Sequence, residues 1–317
     1  MIKIDIKKID NWEEIKECHN IYFERYIKEK IEEHKDKYRD IYDFLIKNLD
    51  VIAVGEMSKL KEEVIDFYSK NIKGNSKKYE LIKEIFNYNN FIKNKNKIKY
   101  KDKEISWNRH KLISLLGIRT CPYCNRQYIT NYFDHNQNKT SADLDHFISK
   151  SEYPILALSL YNFIPSCLFC NQRLKGNKES MDKIIYPYEE DFGDSCKFDL
   201  EFNIAKYIYN NFKNEEGVNL KLDNTDSNNA EKIKKSIELF KLSAMYQAHS
   251  DYALEIIKKL YIYNEDMIKS LYNQYSYMFD TEDDIKMLLL GNYFKYEDLD
   301  KRPLSKLTKD LFDRYGF

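Results

Sequence analysis

The reading of this chain turns on residues 121–171: Cys121-Pro122-Tyr123-Cys124 at the start, Asp143-Leu144-Asp145-His146-Phe147 in the middle, and Asn162-Phe163-Ile164-Pro165-Ser166-Cys167-Leu168-Phe169-Cys170-Asn171 at the end. Two Cys-x-x-Cys pairs in one short stretch are the sequence form of a tetrahedral zinc site, because each two-residue spacer lets a tight knuckle turn both sulfurs toward one ion. Four sulfur ligands leave no open coordination position, so a zinc held by Cys121, Cys124, Cys167 and Cys170 is expected to be structural. Between and just after the knuckles lie an imidazole (His146), a carboxylate (Asp145) and two carboxamides (Asn162 and Asn171).

These residues resemble the HNH nucleases of the ββα-metal superfamily, in the version whose catalytic hairpin and helix are stapled by a CxxC…CxxC zinc site. In that family an Asp-His dipeptide closes the first strand, as Asp145-His146 would here. The middle Asn precedes the second knuckle, matching Asn162, and the third signature residue opens the helix after the second CxxC. That residue is usually His and is Asn171 here, a departure shared with the His-Asn-Asn version in the RNA-guided CRISPR nuclease. The match covers residues 115–178. The wider phrasing, Lys150-Ser151-x-Tyr153-Pro154 and Ala157-Leu158-Ser159-Leu160-Tyr161-Asn162, is similar to HNH subunits of Septu-type bacterial anti-phage modules. The resemblance implies metal-dependent hydrolysis of phosphodiester bonds in nucleic acid, DNA ahead of RNA, with an ABC-type ATPase as partner subunit.

On that reading His146 is the general base, since a neutral imidazole titrating near working pH can take a proton from attacking water. Asn162 is expected to fix its tautomer and aim. Asp145 and Asn171 supply hard oxygens for a catalytic Mg2+ or Mn2+, with Asp143 either supporting them or facing solvent. Arg173 and Lys175, on the first turns of the following helix, are expected to clamp phosphate, and Arg126 and Lys150 to touch the strand backbone. His110 and His135 lie nearby, but no spacing selects them. Two other readings stay open. One is a zinc-knuckle nucleic-acid-binding or scaffold protein without catalysis. The other is a thiol-disulfide enzyme, because Cys121-Pro122-Tyr123-Cys124 is also a glutaredoxin active-site sequence; such a pair belongs at the start of a helix that activates its first thiol.

Composition bounds the remaining choices. The 317 residues carry no net charge, but residues 105–178 hold +5, against +3 before them and −8 after them. The basic block is the one that carries the motif, which suits a phosphate-binding surface; the acidic last third fits partner docking or solvation. No signal peptide or membrane-length apolar run is visible, and paired cysteines without one point to a reducing cytoplasm and no membrane. Cys18 and Cys196 lack partner spacing and are expected to be ordinary buried thiols.

The pattern predicts an α+β protein in three parts: a helical region over 1–104, the zinc-stapled ββα core over 105–185, and a strand pair plus helices over 186–317. Ile2, Ile4 and Ile6 alternate as a short strand would. Trp12, Ile15, Cys18, Tyr22 and Tyr26 recur at helical spacing. A break is expected at Gly74-Asn75-Ser76, then a helix near 78–92. The lysines at every second position from Lys93 to Lys103 form either a phosphate-tracking strand face or a solvated linker. The core is expected as knuckle, strand, a loop over 134–141, the strand ending at His146, the second knuckle, and a helix from Asn171. Phe198, Leu200, Phe202 and Ile204, then Val218, Leu220 and Leu222, predict the strand pair. Asp226-Ser227 is expected to cap a long helix with the face Ile233, Ile237, Phe240 and Ala244. Helices capped near Thr281 and following Pro303 complete the pattern.

Overall fold

Trp12, Ile15, Cys18 and Tyr22 become the buried stripe of the helix Trp12–Tyr22, but Tyr26 does not continue it. The helix widens over Phe23–Ile27 into a π-type turn, and the added residue rotates the stripe so that Phe23, Ile27 and Ile31 go inward instead. The computed structural model describes residues 1–93, 96–134, 137–203, 217–225 and 228–316. Its architecture is α+β, with helices and short antiparallel strand pairs. It gathers into two compact units, one of Asp5–Ile118 with Ile129–Met181, the other of Met1–Ile4, Arg119–Tyr128 and Asp182–Phe317. The N-terminal helices and the strand bearing Asp145-His146 share one unit.

In the first of these units, the break at Gly74-Asn75-Ser76 is present, and the Asn75 side chain caps Ser76–Ile85 by accepting from the Lys78 N–H at 3.1 Å. The single helix expected near 78–92 is two, because Asn87 caps a new start for Tyr88–Ile92. The lysine-rich stretch is neither a single strand face nor a linker. It folds as a hairpin of β1 (Lys97–Tyr100) and β2 (Lys103–Ser106) around Lys101-Asp102, both at positive φ, as a two-residue turn of matching twist requires. Lys97 pairs with Glu104 at 2.6 Å and Lys99 with Asp102 at 3.1 Å, so the hairpin answers much of its own charge. Lys95 lies outside the described residues.

Two further hairpins follow. β3 (Asn131–Asp134) lies where a strand was expected and pairs with β4 (Gln137–Thr140), which falls within the stretch expected to loop. β5 (Asp143–His146) pairs with β6 (Phe163–Ser166), Asp143 opposite Ser166 and His146 opposite Phe163. Pro165 is tolerated in β6 because a two-stranded sheet leaves one side of each strand without ladder bonds. The helix after the second knuckle runs Phe169–Lys175, two residues earlier than expected.

In the other unit, Ile2 and Ile4 form no strand. Their N–H groups donate to the carbonyls of Pro122 and Pro187, at 3.0 and 2.7 Å; proline has no N–H to return, so no reciprocal ladder starts there. Ile6, already in the first unit, lies in a short 3-10 turn, Ile6–Lys8. β7 (Cys196–Phe202) and β8 (Val218–Asn224) pair antiparallel from Cys196–Asn224 to Phe202–Val218. Ile204 and the Asp226-Ser227 cap lie outside the described residues. Helix Ala230–Leu239 buries Ile233, but the long helix expected there breaks at Lys241 (φ +51), and the phase resets so that Ala244 of Leu242–Tyr246 is exposed. Thr281 and Asp284 form the capping box of Glu282–Leu290. Ser305–Tyr315 buries Leu307 and Leu311.

Candidate functional site

The first knuckle is closed by its own backbone: the Asn125 N–H donates to the Cys121 carbonyl (2.7 Å), the Cys121 N–H to the Gln127 carbonyl (3.0 Å), and the Arg126 N–H to Cys124 Sγ (3.4 Å). Asn125, at φ +48 and almost fully buried, anchors the turn. Its carboxamide donates to the Leu299 carbonyl at 2.9 Å and accepts from the Lys306 N–H at 2.9 Å. The second knuckle repeats the pattern, the Cys170 N–H donating to Cys167 Sγ at 3.4 Å and the Asn171 N–H to the Cys167 carbonyl at 3.0 Å. All four cysteines are buried, and their sulfurs lie within 4.8 Å of one another. Tetrahedral zinc with Zn–S bonds of about 2.3 Å sets its sulfurs about 3.8 Å apart, so these four can hold a zinc ion with slight closure. Residues 121–127 run as turns rather than the helix start a redox Cys-x-x-Cys uses. Cys18 and Cys196 are buried thiols, pushed up by burial to about 12 and about 11.

The β5–β6 pair and the Phe169–Lys175 helix build the second feature. A cleft of about 220 Å³ is lined by Asp143, Asp145, His146 and Asn171, together with Tyr88, Arg109 and Lys150. His146 is buried. Its Nε2 donates to the Ala157 carbonyl at 2.9 Å, which places the lone pair on Nδ1. The ring meets Tyr88 edge-on at 4.6 Å and Phe163 at 5.3 Å. Burial, then the Lys150 charge, pushes its pKa down to about 3, against the opposing pull of the Ala157 carbonyl. The imidazole is therefore held neutral.

Asn162 does not touch the imidazole. Its carboxamide donates to the carbonyls of Ile148 (3.0 Å) and Leu156 (2.9 Å) and accepts from the Ile148 N–H (2.7 Å), stapling the loop between β5 and β6 from within. The tautomer-setting role expected of Asn162 falls to Ala157, with Asn162 fixing the loop that presents it. Lys175 also departs from expectation. It is buried, and its ammonium donates to Asp145 at 3.0 Å and to the His146 carbonyl at 2.6 Å. A wide last turn carries it inward, closed by the Gly176 N–H on the Asn171 carbonyl at 2.7 Å; Gly176 itself, at φ +55 and ψ −129, adopts a conformation open only to glycine. Such an ammonium cannot reach a phosphate in solvent. Arg173 is exposed on the same helix.

Asp143 lies two residues before Asp145 on β5, and its Oδ2 accepts from Asn171 Nδ2 (3.0 Å) and Gln172 Nε2 (2.8 Å). Asp143, Asp145 and Asn171 line this cleft together, with the Asn171 amide nitrogen turned to Asp143. Of the weaker candidates, Lys150 lines the cleft, whereas Arg126 donates to His249 at 3.1 Å. His110 is half-buried, its pKa lowered by burial and then by Arg109; His135 lies outside the described residues. Tyr88 and Arg109 were not legible as site residues, since they stand far from the motif and carry no spacing signal. Among the described residues no helix is long and apolar enough to cross a membrane. Comparison with models of protein families, with curated proteins and with solved structures returns no match.

Proposed function

We propose that this chain is a metal-dependent HNH-type endonuclease, cutting phosphodiester bonds in DNA in preference to RNA, and that it is the cytoplasmic effector of a bacterial anti-phage module with an ABC-type ATPase partner. The observation that carries the reading is the convergence of a neutral imidazole with its lone pair on Nδ1, two strand carboxylates and a helix carboxamide on one cleft, with the helix springing from the second Cys-x-x-Cys. His146 Nδ1 accepts the proton of a water aimed at phosphorus while Ala157, Tyr88 and Phe163 hold the ring. Lys175 holds the Asp145 carboxylate in place at the cleft. A divalent cation held by Asp143, Asp145 and Asn171 would supply the electrophile that stabilises charge on the phosphate. Arg173, exposed on the same helix, would meet the strand backbone.

The test is nicking of plasmid DNA and cleavage of structured RNA across a Mg2+ and Mn2+ series. His146→Ala should lower the rate by a factor on the order of 10²–10⁴ at unchanged zinc content, and Asn171→Ala should raise the cation concentration required. If His146→Ala cuts both substrates as well as the parent, the nuclease reading is wrong and a zinc-knuckle binding or scaffold protein takes its place.

A further inference from the structure

The cleft contains more positive charge than its own carboxylates use. Asp145 is neutralised by Lys175, and Asp143 is answered by two amide donors. Lys150 and Arg109 nevertheless line the same cleft, and among the described residues neither is in an ion pair. Lys150 is exposed at the cleft, its ammonium 4.5 Å from the centre of the Tyr88 ring. Arg109 is the first residue of the helix Arg109–Leu116, capped by Asn108. It stands beside the Tyr88 hydroxyl, where its charge opposes the upward push of burial on that phenol. Its Nε is buried without a hydrogen-bond partner. Two cations that line one cleft without an ion pair are answered by one kind of ligand, a compact anion with several acceptor oxygens.

We infer that Tyr88, Arg109 and Lys150 form a phosphate-binding wall that seats a phosphodiester of a nucleic-acid strand against His146. The inference rests on the nuclease reading for the identity of the anion. Arg109 and Lys150 contact the phosphate. Tyr88 is a positioning residue: one ring carries the Lys150 ammonium and meets the His146 imidazole at 4.6 Å, so the bound phosphate and the base share a single support.

The experiment measures binding, not cleavage. Fluorescein-labelled 16-nucleotide single strands and 16-base-pair duplexes are titrated with full-length zinc-loaded protein, without added Mg2+ or Mn2+, at several salt concentrations. Arg109→Gln and Lys150→Gln should each weaken binding about 5–10-fold and lower the log–log salt slope by about one phosphate contact. Arg109→Lys and Lys150→Arg, which keep the charge, should hold the slope and show that lost charge, not lost folding, is responsible. Tyr88→Leu, which removes the ring, should fall with Lys150→Gln. Because binding is read without a catalytic cation, a protein that binds as described but never cuts counts against the nuclease reading and not against this inference, which keeps the two failures distinguishable. Parent-like affinity and slope in both Gln variants overturns the wall, as does a parent that binds neither oligonucleotide.

Discussion

Replacing Lys175 by Met tests the interior of the site most directly. The two side chains of the Lys175–Asp145 pair are 1% and 3% exposed, so solvent does little to screen them. Met keeps most of the aliphatic stem and removes only the charge, leaving a buried carboxylate without its ammonium and the His146 carbonyl without its 2.6 Å donor. Breaking a buried pair from one side costs about 3–5 kcal/mol, against about 0–1 kcal/mol for an exposed pair. The chain supplies its own reporter, because its only two tryptophans, Trp12 and Trp107, both belong to the unit that contains the pair. Urea unfolding followed by tryptophan fluorescence should show a lower midpoint at unchanged slope, the signature of lost stability rather than altered compactness. Lys175→Met combined with Asp145→Asn removes the stranded charge and should recover a large part of the loss. A Lys175→Met cost below about 1 kcal/mol, or a double variant no better than the single, would refute the buried-pair argument.

Two further outcomes follow from described geometry. Freshly prepared protein should contain about one zinc per chain, and Cys121→Ser or Cys167→Ser should lower that content in elemental analysis; zinc-free protein with oxidised knuckles would contradict the cluster. Acid should weaken the unit holding His19, whose Nε2 donates to the Leu158 carbonyl at 2.7 Å while Nδ1 accepts from the Trp107 indole at 3.1 Å. Burial lowers its pKa from 6.5 to about 4. The unfolded chain therefore binds the extra proton first, and stability present above pH 6.5 is lost as pH falls toward 4, by about 3 kcal/mol in all; His19→Gln should flatten the parent's pH profile by that amount, and an unchanged profile would rule this out.

The strand pairs and caps were legible where a local signal decides them. Phe198, Leu200 and Phe202 sit in β7 as their alternation requires, and Thr281 caps its helix. The failures share a cause. One inserted residue at Phe23–Ile27 and one positive φ at Lys241 reset helical phase, and neither leaves a mark in an apolar pattern. At the site, the spacing of His146, Asp145 and Asn171 was enough to bring them to one cleft. What spacing could not carry was direction: Lys175 turns inward because the last turn of its helix is wide, and Asn162 faces its own loop rather than the ring it was expected to steer. Arg109 and Tyr88 reach the cleft through tertiary packing alone.

The loop held by Asn162 has a consequence for the order in which this site comes together. The bonds that aim the imidazole are short in sequence: 14 residues from Asn162 to Ile148, 6 to Leu156, and 11 from His146 to Ala157. Closing a loop of that length costs only a few kcal/mol of chain entropy, and contacts of small separation form ahead of distant ones. The base and its carbonyl acceptor can thus mature as one local event, before the helices bearing Tyr88 and Arg109 arrive. Substitutions in those helices would then alter what the cleft holds while leaving the orientation of the base intact, giving the site a part that can drift and a part that cannot.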